Sequence, residues 1–362
     1  MCSYPPPRGG WSMRVELVAK GLRAAGHECV VLNTGATRRV PSPDYETVLS
    51  PLDFVRKLWR YSRRGFTIHE HVNGDSPKGF VRTLVSELIG LATGKRCYLT
   101  FHAGVEQIYF PRSRAPRLVP LYKVMFAIPK AIICNSETVK ERIIEYGVSA
   151  RKIVAIPAFT RQYLEFVPIP LPPLAADFFK RVPEVLFTYI RVRDGFNLET
   201  LASGFGELAR RRASVGLLVV GVSGDIDDAL LSSFCASLAE SGVTDRTCLI
   251  DDLDHDGFLT AVTRSALCLR TPTTDGVSAS VLESLALGTP VVAAENGNRP
   301  PGVVTFRADD PTDMARQIEY VLDNRVTISA TMARPVIRDT LAHEVAVLAG
   351  AGPGPSDAGT PL

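Results

Sequence analysis

The sequence predicts two doubly wound α/β domains in tandem. Three observations carry this. Short apolar runs rich in β-branched residues alternate with segments of helical period. The runs are continuously apolar rather than alternating, which implies parallel strands covered on both faces. A proline-rich stretch divides them into two sets. The first set covers residues 28–32, 66–69, 96–101, 131–135 and 153–156. The second covers 185–189, 216–220, 247–250, 266–270, 291–294 and 303–306. Helical patterns at 12–25, 82–91, 137–146, 198–212 and 228–241 lie between them. Residues 157–183 hold six prolines, which cannot pair in a sheet and read as an extended connection. The expected organisation is an N-terminal domain over 1–165, a linker over 166–183, and a C-terminal domain over 184–349 ending in a terminal helix. The Gly/Pro/Ser-rich tail 350–362 is expected to be disordered.

Composition bounds the function. With 362 residues, 46% of them hydrophobic and 22% charged, the chain can bury two sizeable cores. A net charge of +3 offers no global case for nucleic-acid binding. The seven cysteines are scattered without a Cys-x-x-Cys pair, so free buried thiols in a reducing compartment are expected. No apolar run has the length of a membrane span, and the N-terminus lacks the regions of a secretory signal. These features suit a cytoplasmic protein.

A doubly wound sheet has its first strand in the middle, yet only residues 1–4 precede the Pro5-Pro6-Pro7 lead-in to Gly9-Gly10. That strand is missing from its expected place. The expectation is that a longer gene product starts upstream and supplies it.

The segment 271–302, TPTTDGVSASVLESLALGTPVVAAENGNRPPG, carries the most chemistry. It begins at the C-terminal end of a strand, where open α/β sheets bind ligands. Asp275 and Gly276 make a turn, and a helix is expected from about Ser280 to Leu287, stopped by Gly288 and Pro290. Amides at its N-terminus suit a pyrophosphate. Asp275 and Glu283 flank that approach and can accept hydrogen bonds from sugar or ribose hydroxyls. An equal alternative is structural. Ser280-x-x-Glu283 is also a capping box, and Asp275 a turn residue.

This segment resembles the donor-site signature of retaining GT-B glycosyltransferases of family four (glycosyl transferases group 1). The signature is an acidic residue, seven others, a glutamate, then a small-residue helix ending in Gly-Thr-Pro-Val-Val-Ala, here Gly288 to Ala293. Aspartate at 275 departs mildly from the usual glutamate. The resemblance implies that Glu283 binds the donor ribose and that Asp275 lies by the donor sugar. It further implies that amides near Val277, Ser278 and Ser280 hold the diphosphate. Three other segments agree in order. Residues 5–10 with the following helix resemble the family's N-terminal glycine loop, implying that Gly9 and Gly10 approach a phosphate or acceptor. Residues 131–157 resemble the end of the acceptor-binding N-terminal domain. Residues 98–104 (YLTFHAG) resemble its strand-end histidine segment, implying His102 near the reacting centre. The family usually places an arginine and a lysine after the first strand of the donor domain. Here Tyr189 and Asp194 take those places, with Arg191 and Arg193 shifted by one or two positions. Arg299 in Gly297-Asn298-Arg299-Pro300 is a third candidate cation.

Other motifs read as structural. His69, His71 and Asp75 lack a clearly spaced third metal ligand and suit cleft-lining residues better. The acidic run Asp251 to Asp256 reads as a solvated loop with Asp256 capping a helix. No metal and no cofactor is therefore expected. The resemblance implies a hexosyltransferase-type enzyme that moves a sugar from a nucleotide-diphosphate donor to a hydroxyl of a glycan, lipid-linked or small-molecule acceptor. Two readings compete with it: a catalytically degenerate binding partner of the same fold, and a GT-B epimerase. The absence of an early Gly-x-Gly-x-x-Gly argues against a dehydrogenase. Finally, 54–66 (FVRKLWRYSRRGF) mixes Arg56, Lys57, Arg60, Arg63 and Arg64 with Phe54, Leu58, Trp59 and Tyr61. It is either a solvated basic helix or a contact with an anionic membrane at the inner face.

Overall fold

A computed structural model of the protein describes residues 4–5, 10–104, 107–222, 227–273 and 277–350. Its strands all pair in parallel, as continuous apolar runs require. In the first half these are β1 (Leu32–Asn33), β2 (Glu46–Thr47), β3 (His69–Val72), β4 (Tyr98–Phe101), β5 (Ala131–Cys134) and β6 (Ile153–Ala155). In the second half they are β7 (Glu184–Tyr189), β8 (Val215–Val220), β9 (Thr247–Ile250), β10 (Leu267–Arg270), β11 (Val291–Ala294) and β12 (Val303–Phe306). The chain divides into two compact units. One runs to Thr160 and resumes at Arg338, and the other is Arg161–Ile337.

The C-terminal unit is a single six-stranded sheet in the order β12-β11-β10-β7-β8-β9. Its first strand, β7, lies in the middle and pairs with both β8 and β10. Each face carries a continuous core. On one face Leu201, Phe205 and Leu208 of the helix Leu198–Arg211 meet Met314 and Ile318 of the helix Pro311–Asp323. A Cβ at Gly204 would stand 2.5 Å from the Met314 Cε, so glycine sets how closely these two helices pack. The other face buries Phe178, Val262, Val281 and Leu285. Phe178 lies in the stretch expected to be a linker. Instead, Pro173 opens a helix, Pro173–Arg181, that buries Ala175 and Phe178 in the C-terminal unit. Proline at the first helical position loses no hydrogen bond, which is why a proline-rich stretch can start a helix.

The N-terminal unit has two sheets, a pair β1-β2 and a four-stranded β3-β4-β5-β6. Its core is correspondingly divided. One cluster forms around Phe101, Tyr122 and Phe126, another around Leu32, Leu58 and Ile68, and smaller ones around Val15 and Ile133. The terminal helix, Thr340–Leu348, belongs here and not to the C-terminal unit as the sequence suggested. It packs on the first helix, Gly10–Ala24, where Gly21 lets Leu341 and Val345 approach. A buried ion pair locks the two helices. Arg14 Nη2 lies 2.6 Å from Glu344 Oε2, both side chains being only 2% exposed. Arg14 also donates to the Thr340 hydroxyl and carbonyl.

The basic–aromatic segment forms a helix, Pro51–Arg63, capped by Ser50. Phe54, Leu58 and Tyr61 point into the core and are not offered to a surface. Lys57, Arg60 and Arg64 pair with Asp53, Glu46 and Glu28. Leu52, Val55 and Trp59 remain exposed beside Arg56 and Arg63. Among the described residues, no helix is long and apolar enough to cross a membrane.

Removing one member of a buried pair strands the other charge and costs about 3–5 kcal/mol. Calorimetry of Glu344→Ala should therefore show the transition of the N-terminal unit moving down while that of the C-terminal unit stays in place. The double change Arg14→Met with Glu344→Ala should recover part of the loss, and an equal loss in both would show that packing rather than charge is responsible.

Candidate functional site

The helix of the segment 271–302 follows β10 at the C-terminal edge of the β7–β12 sheet. The helix expected from Ser280 begins one residue earlier, spanning Ala279–Leu287, with Ser278 as its N-cap and Gly288 in the left-handed conformation at its end. The Ser278 side chain caps no helix amide; its hydroxyl lies 3.0 Å from that of Ser280. This register rules out the capping box. Glu283 sits a full turn into the helix, too far along to reach back to the start. As a residue it is about nine-tenths buried, and its carboxyl group has no hydrogen bond or ion pair to any described residue. Burial alone pushes its pKa up to about 8. Val277 is half exposed at the approach to the helix. Asp275 and Gly276, like Gly9, lie outside the described residues.

The loop after β7 is fixed to the end of β10. Asn197, with a φ of 50°, donates to the Thr271 carbonyl, and the Thr271 hydroxyl donates to Phe196 O at 2.7 Å. Arginines surround this junction. Arg191 lies over the Tyr189 ring at 5.3 Å, and Arg193 over Phe196 at 5.6 Å. Neither has a carboxylate partner among the described residues. Arg299 is placed differently. Its Nε donates to Ala294 O and its Nη2 to Pro272 O, so it braces the ends of two strands. The sequence reading missed Arg270, the last residue of β10. It is buried, donates to Tyr189 O at 3.0 Å and lies 5.2 Å from the Phe196 ring centre. A charged residue closing an apolar strand at the ligand-binding edge was the available signal.

In the N-terminal unit, the strand ends bring three histidines together. His69 and His71 alternate onto one face of β3, with ring centres 4.2 Å apart. His102 follows β4, and its Nε2 lies 2.9 Å from His71 Nδ1. Trp11 packs 5.1 Å from the His102 ring, and Asn135 donates to the His102 carbonyl. Burial, reinforced by the Arg14 guanidinium, pushes His102 down to about 3. His69 and His71 are lowered well below the usual histidine range, again chiefly by burial. All three rings are neutral at pH 7. The His102 Nδ1 makes no hydrogen bond to a described residue. Gly10 is the first residue of the first helix.

The acidic run 251–256 precedes the helix His255–Arg264, and its cap is Asp254, not Asp256. Asp254 Oδ1 accepts from Gly257 N at 2.7 Å. Among the described residues, no group of three or more His, Cys, Asp or Glu side chains is placed to hold a metal. The described cysteines are free; Cys97, Cys134, Cys248 and Cys268 are buried, and Cys235 is exposed.

Two family models match the chain. Glycosyltransferase Family 4 covers residues 8–160 and Glycosyl transferases group 1 covers 185–324, so together they span most of its length. The chain belongs to the family-4 type of GT-B glycosyltransferases. No curated protein matches it in sequence. Solved structures match in fold. A glycosyltransferase from Rickettsia africae shares 17% identity at a TM-score of 0.69, over 97% of this chain and 93% of that one. HepE of Anabaena, solved with UDP, shares 14% at 0.64, over 97% and 94%. A UDP-N-acetylglucosamine 2-epimerase shares 12% at 0.64, over 99% and 98%. The matched boundaries of this glycosyltransferase fall near the observed division of the chain, at Thr160.

Glu283 gives the glycosyltransferase a pH signature. Its folded pKa, about 8, lies above the ordinary carboxyl value of 4.5. The folded state therefore prefers the protonated acid. Stability falls as pH rises from the ordinary value through the folded one, at up to about 1.4 kcal/mol per pH unit in that window, and levels off above it. Melting temperatures measured from pH 5 to 9 should decline more steeply for the wild type than for Glu283→Gln. Parallel curves would show that the carboxylate is solvated.

Proposed function

We propose that the protein is a retaining glycosyltransferase that takes its sugar from a nucleotide-diphosphate donor held by the C-terminal unit. The observation that carries this is Glu283, a largely buried acid without a partner among the described residues, one turn into a helix whose N-cap side chain bonds no helix amide. A buried carboxylate without a partner is expensive, and a ribose bearing two hydroxyls satisfies it. In this reading Glu283 accepts from the ribose, and Asp275 lies by the donor sugar. The amides of Val277, Ser278 and Ser280 meet the diphosphate. His102 lies at the acceptor side, with Gly9 and Gly10 close to phosphate or acceptor. As the diphosphate departs, negative charge grows on its oxygens, and helix amides supply only about half a positive charge. Arg191 and Arg193 supply the rest, Arg191 lying nearer the place of the family's cation. Arg299, committed to two strand ends, serves as a brace. HepE of Anabaena binds UDP, which supports a nucleotide donor.

The reaction proposed is transfer to a hydroxyl of a glycan, lipid-linked or small-molecule acceptor, without metal or cofactor, in the cytoplasm. Leu52, Val55 and Trp59 with Arg56 and Arg63 would rest on an anionic membrane at its inner face. An epimerase of the same fold is the second reading, favoured by the fold match to one; it would interconvert two donors without an acceptor. Tyr189 and Asp194 at the family's cationic positions favour a third, a binding protein without turnover.

Thermal-shift measurements with uridine, guanosine, adenosine and thymidine diphosphates should raise the melting temperature for one base, by mass action. Glu283→Gln should weaken that diphosphate by about 0.5–1.5 kcal/mol, the range for a hydrogen bond between neutral groups, since the acid is protonated near pH 7. Arg191→Ala should slow turnover more than it weakens binding. The proposal fails if no diphosphate binds at millimolar concentration.

A further inference from the structure

The two units share one winding pattern, and among the described residues they differ by a single strand. In the C-terminal unit the first strand, β7, is flanked on one side by β8 then β9, and on the other by β10, β11 and β12. The N-terminal unit repeats this order around a gap. β1 then β2 form one piece, and β3, β4, β5 and β6 form the other. Nothing among the described residues pairs with both β1 and β3, which are the counterparts of β8 and β10. A cavity of about 410 Å³ lies between them, lined by Leu32 and Val31 on one side and by Ile68, His69 and His71 on the other. A single water needs only about 10–15 Å³ of such space, so this is far more than a packing defect.

The walls have the chemistry of a strand seat. Val31 turns toward Val15 and Ala19 of the first helix, while Leu32 turns toward Leu58 and Tyr61 of the helix Pro51–Arg63. Apolar side chains thus stand on both faces of the gap, with His69 and His71 at one wall, the setting of a central parallel strand. The backbone points the same way. Val31 and Asn33 give their carbonyls to β2, so the amide and carbonyl of Leu32 face the cavity. Ile68 and Val72 give theirs to Tyr98 and His102 on the β4 side, so the His71 amide faces the cavity too. Tyr4, buried, packs against Val15, Ala19 and Val31, which line the same cavity. The chain therefore reaches the wall of the gap at the point where a βα unit would leave its strand for the first helix.

We propose that this cavity is the seat of one further β-strand, parallel to β1 and β3, contributed by chain N-terminal to Tyr4. Its residues are apolar and β-branched on both faces, and seating it joins the two sheets into one seven-stranded sheet. The experiment uses the full chain in three forms: unextended, with six Val/Ile/Thr residues placed ahead of Met1, and with the same extension carrying proline at its centre. Amide hydrogen exchange is read at Leu32 and His71. The apolar extension should slow exchange at both by about tenfold or more and raise the melting temperature, and the proline form should do neither. A fourth arm adds the same six residues as a free peptide to the unextended protein. Protection by the peptide but not by the extension would overturn the assignment to the chain's own N-terminal side. Protection by neither would overturn the strand seat itself.

Discussion

In a doubly wound sheet, everything is hung from the first strand. It must pair on both edges and be covered on both faces, because the chain winds first to one side of it and then to the other. In the C-terminal unit β7 meets that demand, and the consequences are visible on each face. Two continuous cores form, and the strand ends converge at one edge, where the loop after β7 is fastened to the end of β10 through Asn197, Thr271 and Arg270. Among the described residues of the N-terminal unit the same winding has no central strand. The sheet breaks at that line and the apolar residues gather into separate clusters.

The candidate donor site is an electrostatic arrangement made by burial. Glu283 is held on a helix whose other inward residues, Val281, Leu282 and Leu285, belong to the core. The apolar face that anchors the helix is also what strips water from the carboxylate. The cations at the neighbouring strand ends and in the loop after β7 are divided by task. Arg299 and Arg270 hold backbone carbonyls at strand ends, while Arg191 and Arg193 lie on aromatic rings without a carboxylate partner among the described residues.

The strands of the C-terminal unit were legible almost to the residue. Strands 247–250, 291–294 and 303–306 came out as read, since long apolar runs bounded by turn residues leave little freedom. The N-terminal unit was harder, because its strands are only two to four residues long and carry histidines where aliphatic residues would be expected. Local chemistry also misled. Ser280 and Glu283 fit a capping box by spacing, but the helix starts at Ala279, and a one- or two-residue shift in register undoes the motif. The proline-rich stretch hid a helix because proline both breaks and begins helices. The destination of the last helix was unreadable, since it depends on Arg14, some 330 residues away in sequence.

That last contact has a consequence for how the protein is made. Glu344 is synthesised some 330 residues after Arg14. Until Glu344 emerges, the N-terminal unit holds an arginine in an apolar setting without its counter-charge, and the face of the first helix that bears Gly21 lacks its cover. Domains of multidomain chains ordinarily fold in order of synthesis. Here the order is inverted: the C-terminal unit has all its parts before the N-terminal unit does. The half-made N-terminal unit must wait, exposed, through the translation of its neighbour, and the arrival of the helix Thr340–Leu348 ends that wait.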